Sequence, residues 1–256
     1  MEEALLKLKK SLEGELEWDD LHKKLYATDA SVYKMTPLAV AFPKNKNDLR
    51  QLISFALAHK TSLIPRTAGT SLAGQCVGSG IVVDVSKYFT EILNLDVENR
   101  TVTVQPGVNR DALNRFLEPH GLFFGPNTST SQYCLLGGML GNNSSGTTSI
   151  RYGVTRDVVI AVETLLSDGS EATFKACDSK ELEAKLKNNT QEGKIYHFLF
   201  EALSNPKVQK AITTDFPDVS VHRRNTGYAV DVLLNQHPLN PQGEAFNIAK
   251  LLAGSE

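Results

Sequence analysis

The chain has 256 residues, 41% of them hydrophobic and 22% charged, with a formal net charge of -2. That is enough for one large domain or two small ones around a substantial core. Basic and acidic residues are mixed along the whole length, so no basic block points to nucleic acid, and no apolar run reaches the roughly 18–20 residues that span a bilayer.

The first 25 residues are charged throughout and do not read as a secretory leader, while Leu5, Leu8, Leu12, Leu16 and Leu21 recur near helical spacing. Residues 1–34 are therefore expected to be an N-terminal helical segment packed on its own domain rather than on a membrane. Residues 38–42 read as an apolar strand closed by Pro43. A helix over 44–60 follows, with Leu49, Leu52, Ile53, Ala56 and Leu57 on one face and Asn45 or Asn47 as N-cap. Strands over 61–65 and 80–85 complete a small βαβ unit within a first subdomain of residues 35–96.

Segments 91–96 and 101–105 flank the turn Val97-Glu98-Asn99-Arg100 as a hairpin, and a helix over 109–120 ends at Gly121. Within the larger subdomain, 97–256, residues 157–166 and 171–174 form a strand pair around Ser167-Asp168-Gly169-Ser170. The stretch 179–214 is mostly helical, with interruptions near Gly193 and Pro206. Beyond Asp215, Pro217, Pro238, Pro241 and Gly243 indicate loops around short helices.

Cys76, Cys134 and Cys177 are odd in number and widely spaced, without a CxxC pair, and the six histidines show no HxH or HExxH spacing. A disulfide framework, a metal site or an iron–sulfur ligand set within this chain is not expected. A reducing cytoplasm fits this usage, with peripheral association at the inner membrane left open.

Two segments carry the chemistry. The first is Pro65-Arg66-Thr67-Ala68-Gly69-Thr70-Ser71-Leu72-Ala73-Gly74-Gln75, directly after an apolar strand. Small residues let the backbone turn tightly, its N–H groups can converge on an anion, and Thr70 and Ser71 add hydroxyls. No Gly-Lys-Ser/Thr follows and GxGxxG occurs nowhere, so this is neither a Walker loop nor a Rossmann fingerprint. A glycine-rich turn without a ligand is the competing reading. The second segment, Gly137-Gly138-Met139-Leu140-Gly141-Asn142-Asn143-Ser144-Ser145-Gly146-Thr147-Thr148-Ser149, precedes Arg151-Tyr152-Gly153. It is read as a long polar loop, too poor in apolar side chains to build core. Gly137, Gly138 and Gly146 permit close approach of a ligand, Gly138 and Gly146 through positive φ, and Asn142 and Ser145 donate hydrogen bonds.

These segments, with Val104-Gln105-Pro106-Gly107-Val108, Gly125-Pro126-Asn127, Asp157-Val158-Val159 and Leu166-Ser167-Asp168-Gly169, stand in a characteristic order. In that order the chain resembles the flavoprotein family of vanillyl-alcohol oxidase and p-cresol methylhydroxylase (PCMH), in the branch of FAD-linked D-lactate, glycolate and D-2-hydroxyglutarate dehydrogenases. The resemblance covers about residues 35–256. It implies an α+β fold of two α/β subdomains of the PCMH-type FAD-binding fold, with FAD extended between them. Arg66, Thr67, Ala68, Gly69, Thr70 and Ser71 would wrap the pyrophosphate, with Gln75 closing that loop. Pro126, Gly137, Gly138, Asn142, Ser145 and Gly146 would line the ribityl, pyrophosphate and ribose path, with Tyr152 and Gly153 nearby.

Where the family often has consecutive glycines, this chain has Thr67-Ala68, and the first loop carries neither His nor Cys, so FAD is expected to be non-covalent. The segment His222-Arg223-Arg224-Asn225-Thr226-Gly227-Tyr228 is similar to the family's Gly-Tyr stretch beside the isoalloxazine. Arg223 and Arg224 either meet a substrate carboxylate or the flavin edge, or serve as surface and cap residues. Leu252-Ala253-Gly254-Ser255-Glu256 resembles the opening of a longer family motif, which implies truncation of the larger subdomain and a substrate domain beyond it. The loop forms are most like large bacterial members fused to an iron–sulfur domain.

The expected function is thus the FAD-binding domain of a dehydrogenase that oxidises a 2-hydroxy acid such as D-lactate by hydride transfer to flavin N5. An iron–sulfur domain or quinone would accept the electrons, and the segment alone would be inactive. No catalytic base is assignable, because in the family it lies outside the matched residues. The alternatives are a flavin reductase of the UDP-N-acetylenolpyruvylglucosamine reductase type and a non-catalytic flavin-binding module.

Overall fold

The computed structural model describes residues 1–218, 220–221 and 227–256. Its helices and strands are mixed in the α+β manner the resemblance implies, and they group into two compact units. The first unit comprises Met1–Phe124 with Thr128–Met139, the second Gly125–Asn127 with Leu140–Glu256.

In the first unit, α1 (Glu2–Ser11) precedes a short strand β1 (Glu15–Glu17), then α2 (Asp20–Leu25), β2 (Ala39–Phe42), α3 (Lys46–His59), β3 (Leu63–Arg66) and β4 (Ile81–Asp84). The predicted N-terminal helix is therefore broken: Leu16 sits in a strand, fully buried, and Leu21 is exposed. The break has a clear cause. The carboxylate of buried Asp48 accepts the N–H groups of Glu13, Gly14 and Lys44, each at 2.9 Å, which pins a turn where the leucine pattern alone would continue the helix.

The sheet runs β1-β2-β4-β3, with β1 antiparallel and the other three parallel. The βαβ unit is present, but β4 lies between β2 and β3. Both inner strands are buried at every residue, as parallel strands covered on both faces must be. Pro65, which cannot donate to a ladder, falls on the edge strand β3. Asn45 caps α3 through the Asp48 N–H. The buried stripe of that helix is Asp48, Leu52, Phe55 and Ala56, and Leu57, expected on it, is exposed.

The hairpin β5 (Ile92–Asp96) and β6 (Thr101–Val104) packs with α4 (Arg110–Leu117) around Val108, Leu113 and Leu117, a core separate from the one beneath the sheet. Helix α5 (Leu136–Gly141) carries the chain from the first unit into the second.

The second unit contains α6 (Ser149–Tyr152), α7 (Thr155–Val158), β7 (Ala161–Leu165), β8 (Glu171–Lys175), α8 (Ser179–Lys187), α9 (Gln191–Ser204), α10 (Pro206–Asp215), α11 (Val230–Leu234) and α12 (Ala249–Leu252). The predicted strand over 157–166 starts only at Ala161, because the Asp157 carboxylate accepts the Val154 N–H at 2.8 Å and winds the preceding residues into a helical turn. The helices break at 188–190 and 205; Gly193 is buried inside α9, where a Cβ would crowd the Lys185 carbonyl at 3.0 Å. Tyr196, Phe246, Leu233 and Ile248 centre this unit's core. No helix among the described residues is long and apolar enough to cross a membrane.

Candidate functional site

The first glycine-rich segment leaves the sheet at Arg66, whose carbonyl accepts the Val85 N–H. Gly69 and Gly74 then take positive φ (66° and 76°), conformations that strain any side chain. The Ser71 hydroxyl donates to Gln75 Oε1 and accepts the Ala73 N–H at 3.2 Å, which closes the loop on itself. Among the described residues, the N–H groups of Thr67, Ala68, Gly69, Thr70 and Ser71 donate to no protein acceptor. Unpaired main-chain donors in succession are the feature that anion-binding loops share.

Within the same unit, the start of α5 is brought against this loop. Gly137 donates to the Pro106 carbonyl at 2.8 Å, and a Cβ on it would lie 2.6 Å from Pro106 Cβ. A Cβ on Gly138 would come within 2.5 Å of Thr67 Oγ1. Thr67, the departure from the family's consecutive glycines, thus occupies space that a side chain at 138 would need. Arg66 has its guanidinium beside Gly69, engaged by neighbours outside the loop. Its Nη1 donates to Thr28 O at 2.8 Å and its guanidinium lies 5.0 Å from the centre of the Tyr26 ring. Tyr26 donates its hydroxyl to buried Asp84 at 2.6 Å; burial first, and that carboxylate second, raise the phenol above its ordinary range.

In the second unit, residues 140–153 are largely folded rather than an open loop, which corrects the sequence reading. Asn143 is fully buried, with Ser144, Ser149, Thr155 and Arg156 close behind. The segment builds polar core instead of apolar core: Asn143 Oδ1 accepts the Arg156 N–H at 2.8 Å, and Thr155 donates its N–H and hydroxyl to Ser144 O at 3.1 and 2.7 Å. The Arg156 guanidinium reaches Lys250 O at 3.0 Å and the Ala253 carbonyl. Lys250 returns the contact, donating to Arg156 O at 2.9 Å, with its ammonium pushed below the usual range by burial.

Asn142 donates to Ser144 Oγ at 3.1 Å, and Gly146 O accepts the Ser149 hydroxyl at 2.6 Å. Ser145 and Gly146 are half-buried in this turn, and the N–H groups of Asn142, Gly146 and Thr147 have no protein acceptor among the described residues. Thr148 fixes the 125–127 segment by donating to Gly125 O at 2.9 Å, and a Cβ on Gly125 would meet Tyr152 Cβ at 2.7 Å, so Pro126 and Tyr152 belong to one neighbourhood. Positive φ falls at Gly153 (74°) rather than at Gly138 or Gly146, which corrects that expectation. Shallow hollows over α4 and between α1 and α3 contain none of these residues.

Sequence reasoning missed Tyr26, Asp84, Asn143 and Arg156. Only Asn143 left a signal, since Asn is the non-glycine residue best suited to its positive φ of 48°. Cys76, Cys134 and Cys177 are all buried thiols. His222, Arg223, Arg224, Asn225 and Thr226 lie outside the described residues.

Residues 37–175 match the family described as FAD binding domain. D-2-hydroxyglutarate dehydrogenase of Haemophilus influenzae is 34% identical over 250 residues, covering 95% of this chain and 24% of that protein. Glycolate oxidase subunit GlcD of Bacillus subtilis is 37% identical over 147 residues, covering 57% of this chain and 31% of the relative. The chain thus spans about a quarter to a third of the length of the curated relatives it matches. Among solved structures, an alkyldihydroxyacetonephosphate synthase superposes with a TM-score of 0.62 at 19% identity, over 77% of this chain and 37% of that one, a likeness of fold. The chain belongs to the FAD-binding-domain family, has the PCMH-type α+β fold, and takes FAD as its cofactor.

Proposed function

We propose that this chain is the flavin-holding part of a dehydrogenase that oxidises a 2-hydroxy acid, with D-2-hydroxyglutarate ahead of D-lactate and glycolate as its substrate. The observation that carries the reading is the run of unpaired N–H donors from Thr67 to Ser71, with Gly138 packed closely against Thr67. The order of substrates follows the name of the relative that matches nearly the whole chain.

The residues fit a dinucleotide. Thr67, Ala68, Gly69, Thr70 and Ser71 would direct main-chain N–H groups at the pyrophosphate, with the Thr70 hydroxyl adding a donor and Gln75 holding Ser71 in place. Gly137 and Gly138 would let the start of α5 close against Pro106 and Thr67 beside those donors. Asn142, Ser145 and Gly146 would serve the rest of the chain of phosphates and sugars, and Pro126, Tyr152 and Gly153 would border the flavin side. Bound FAD supplies a two-electron acceptor for the hydrogen removed from the hydroxyl-bearing carbon. This chain's share is to hold and orient that group. Residues 66–75 carry neither His nor Cys, and the Cys76 and Cys134 thiols are buried, which favours a cofactor held without a covalent bond.

The experiment is an anaerobic titration of the full-length, flavin-loaded protein with D-2-hydroxyglutarate, D-lactate and glycolate in turn. Bleaching of the flavin absorbance by D-2-hydroxyglutarate at the lowest concentration is expected. Bleaching by NADPH and by none of the three acids would sink the dehydrogenase reading. Acid precipitation should leave free FAD in the supernatant; colour retained in the pellet would refute non-covalent binding.

A further inference from the structure

Arg66 opens the loop, and its guanidinium has two close neighbours: the Tyr26 ring, with its centre at 5.0 Å, and Gly69, where a Cβ would approach the guanidinium carbon to 2.8 Å. One nitrogen donates to Thr28 O. Tyr26 is itself fixed by Asp84, whose second oxygen accepts the Ser86 N–H at 2.8 Å. Asp84 is the register partner of Arg66 across β3 and β4, so both side chains leave the sheet on the same face. The Ala30 N–H completes the arrangement by donating to Gly69 O at 3.2 Å.

We propose that Arg66 is a positioning residue for the FAD cradle, locked from behind the loop by Tyr26 and Asp84, and that it does not itself touch the phosphates. This rests on the reading of residues 67–71 as the pyrophosphate cradle. Donors on successive residues converge on an anion only if the backbone between them is fixed, and free backbone loses on the order of 1–2 kcal/mol per residue when ordered. The Arg66 guanidinium supplies that order beforehand: it lies over the Tyr26 ring, fills the space beside Gly69 and ties the loop base to Thr28. A lysine can carry the charge but not the plane.

The test compares Arg66→Lys, Arg66→Met, Tyr26→Phe and Asp84→Asn in the purified, flavin-depleted protein. Two quantities are read: hydrogen exchange of peptides covering residues 67–75 without cofactor, and the FAD dissociation constant at low and high salt. Both Arg66 variants should speed exchange and weaken FAD by ~10–100-fold, by the same factor at either salt concentration. Tyr26→Phe keeps the ring and removes only the tether, so a loss of ~5-fold is expected. Wild-type affinity in Arg66→Lys, or a loss in Arg66→Met that shrinks at high salt, would make Arg66 a direct phosphate ligand and overturn the proposal. Unchanged exchange and affinity in both Tyr26→Phe and Asp84→Asn would overturn the locking. If the variants speed exchange but the wild-type protein takes up no FAD, the anchoring stands, and the cradle reading fails together with the cofactor role of Arg66.

Discussion

The two glycine-rich segments keep their shape by different means. Residues 66–75 have almost no regular structure and hang on a few contacts: Arg66 to Thr28, Ala30 to Gly69, and Ser71 to Gln75. Residues 140–156 are wound into short helical turns over buried polar side chains, with Asn143 at 0% exposure and Arg156 at 5%. The first can be deformed without opening a core, whereas the second is part of one. A lesion in the first should therefore appear as lost ligand affinity, and a lesion in the second as lost stability.

The largest effect that would sharpen this contrast is expected for Arg156→Met. It removes charged hydrogen bonds to Lys250 O and Ala253 O, at a cost of about 3–5 kcal/mol in urea unfolding. A loss under about 1 kcal/mol would show that the second segment is not held as a core. Gly138→Val comes next. Its Cβ would meet Thr67 Oγ1 at 2.5 Å, an overpacking of about 1–3 kcal/mol that should appear as FAD affinity weakened ~10–100-fold. Thr67→Gly in the same protein should restore most of the affinity. If the double variant binds as poorly as the single, the crowding is not with Thr67.

Asn143→Gly sets two terms against each other. Glycine relieves the positive φ but removes the acceptor of the Arg156 N–H, so a net destabilisation of about 1 kcal/mol is expected. Stabilisation in a urea titration would mean that the φ term dominates. The smallest effect concerns alkaline pH, and each unit has its own reporter. Tyr26 in the first unit and Tyr196 in the second are both raised above the ordinary phenol range, chiefly by burial. The folded protein holds these protons after the unfolded chain releases them near pH ~10, so their contribution to stability is complete below that pH and lost above it. Stability that stays flat above pH ~10 in the wild type would remove both groups as causes; a Tyr26→Phe variant should show a shallower decline.

The backbone features of the site were legible in sequence, because a cluster of Gly, Ser and Asn directly after an apolar strand can neither extend the sheet nor fill an apolar core. The βαβ unit stands where its pattern places it, and both glycine-rich segments follow the elements expected before them. The devices that hold the two segments were not legible. Arg66 and Asp84 are ordinary charged residues, and nothing local shows that they meet as register partners or that Tyr26 comes between them. The same limit accounts for the broken N-terminal helix. Leucine spacing is a local signal, and the turn at Glu13 and Gly14 is imposed by Asp48, some 35 residues downstream. The stretch 137–149 reads as a long polar loop because hydropathy does not distinguish a wet loop from a satisfied buried network.

The antiparallel strand β1 has a consequence for where this polypeptide can be cut. The match to the FAD binding domain family begins at residue 37 and stops at 175, but the forces that fold the chain do not respect those limits. Trimming to that interval would strip β1 from the edge of β2, leaving a row of main-chain groups without their ladder partners and removing Leu5, Leu8 and Leu16 from the core beneath the sheet. At the other side, the β7–β8 hairpin would survive while Tyr196, Leu233 and Phe246, which cover Phe174, would be gone. A fragment cut to the family match alone would therefore carry both glycine-rich segments and still be prone to aggregate, which makes residues 1–36 and 176–256 necessary to what folds even though the family match omits them.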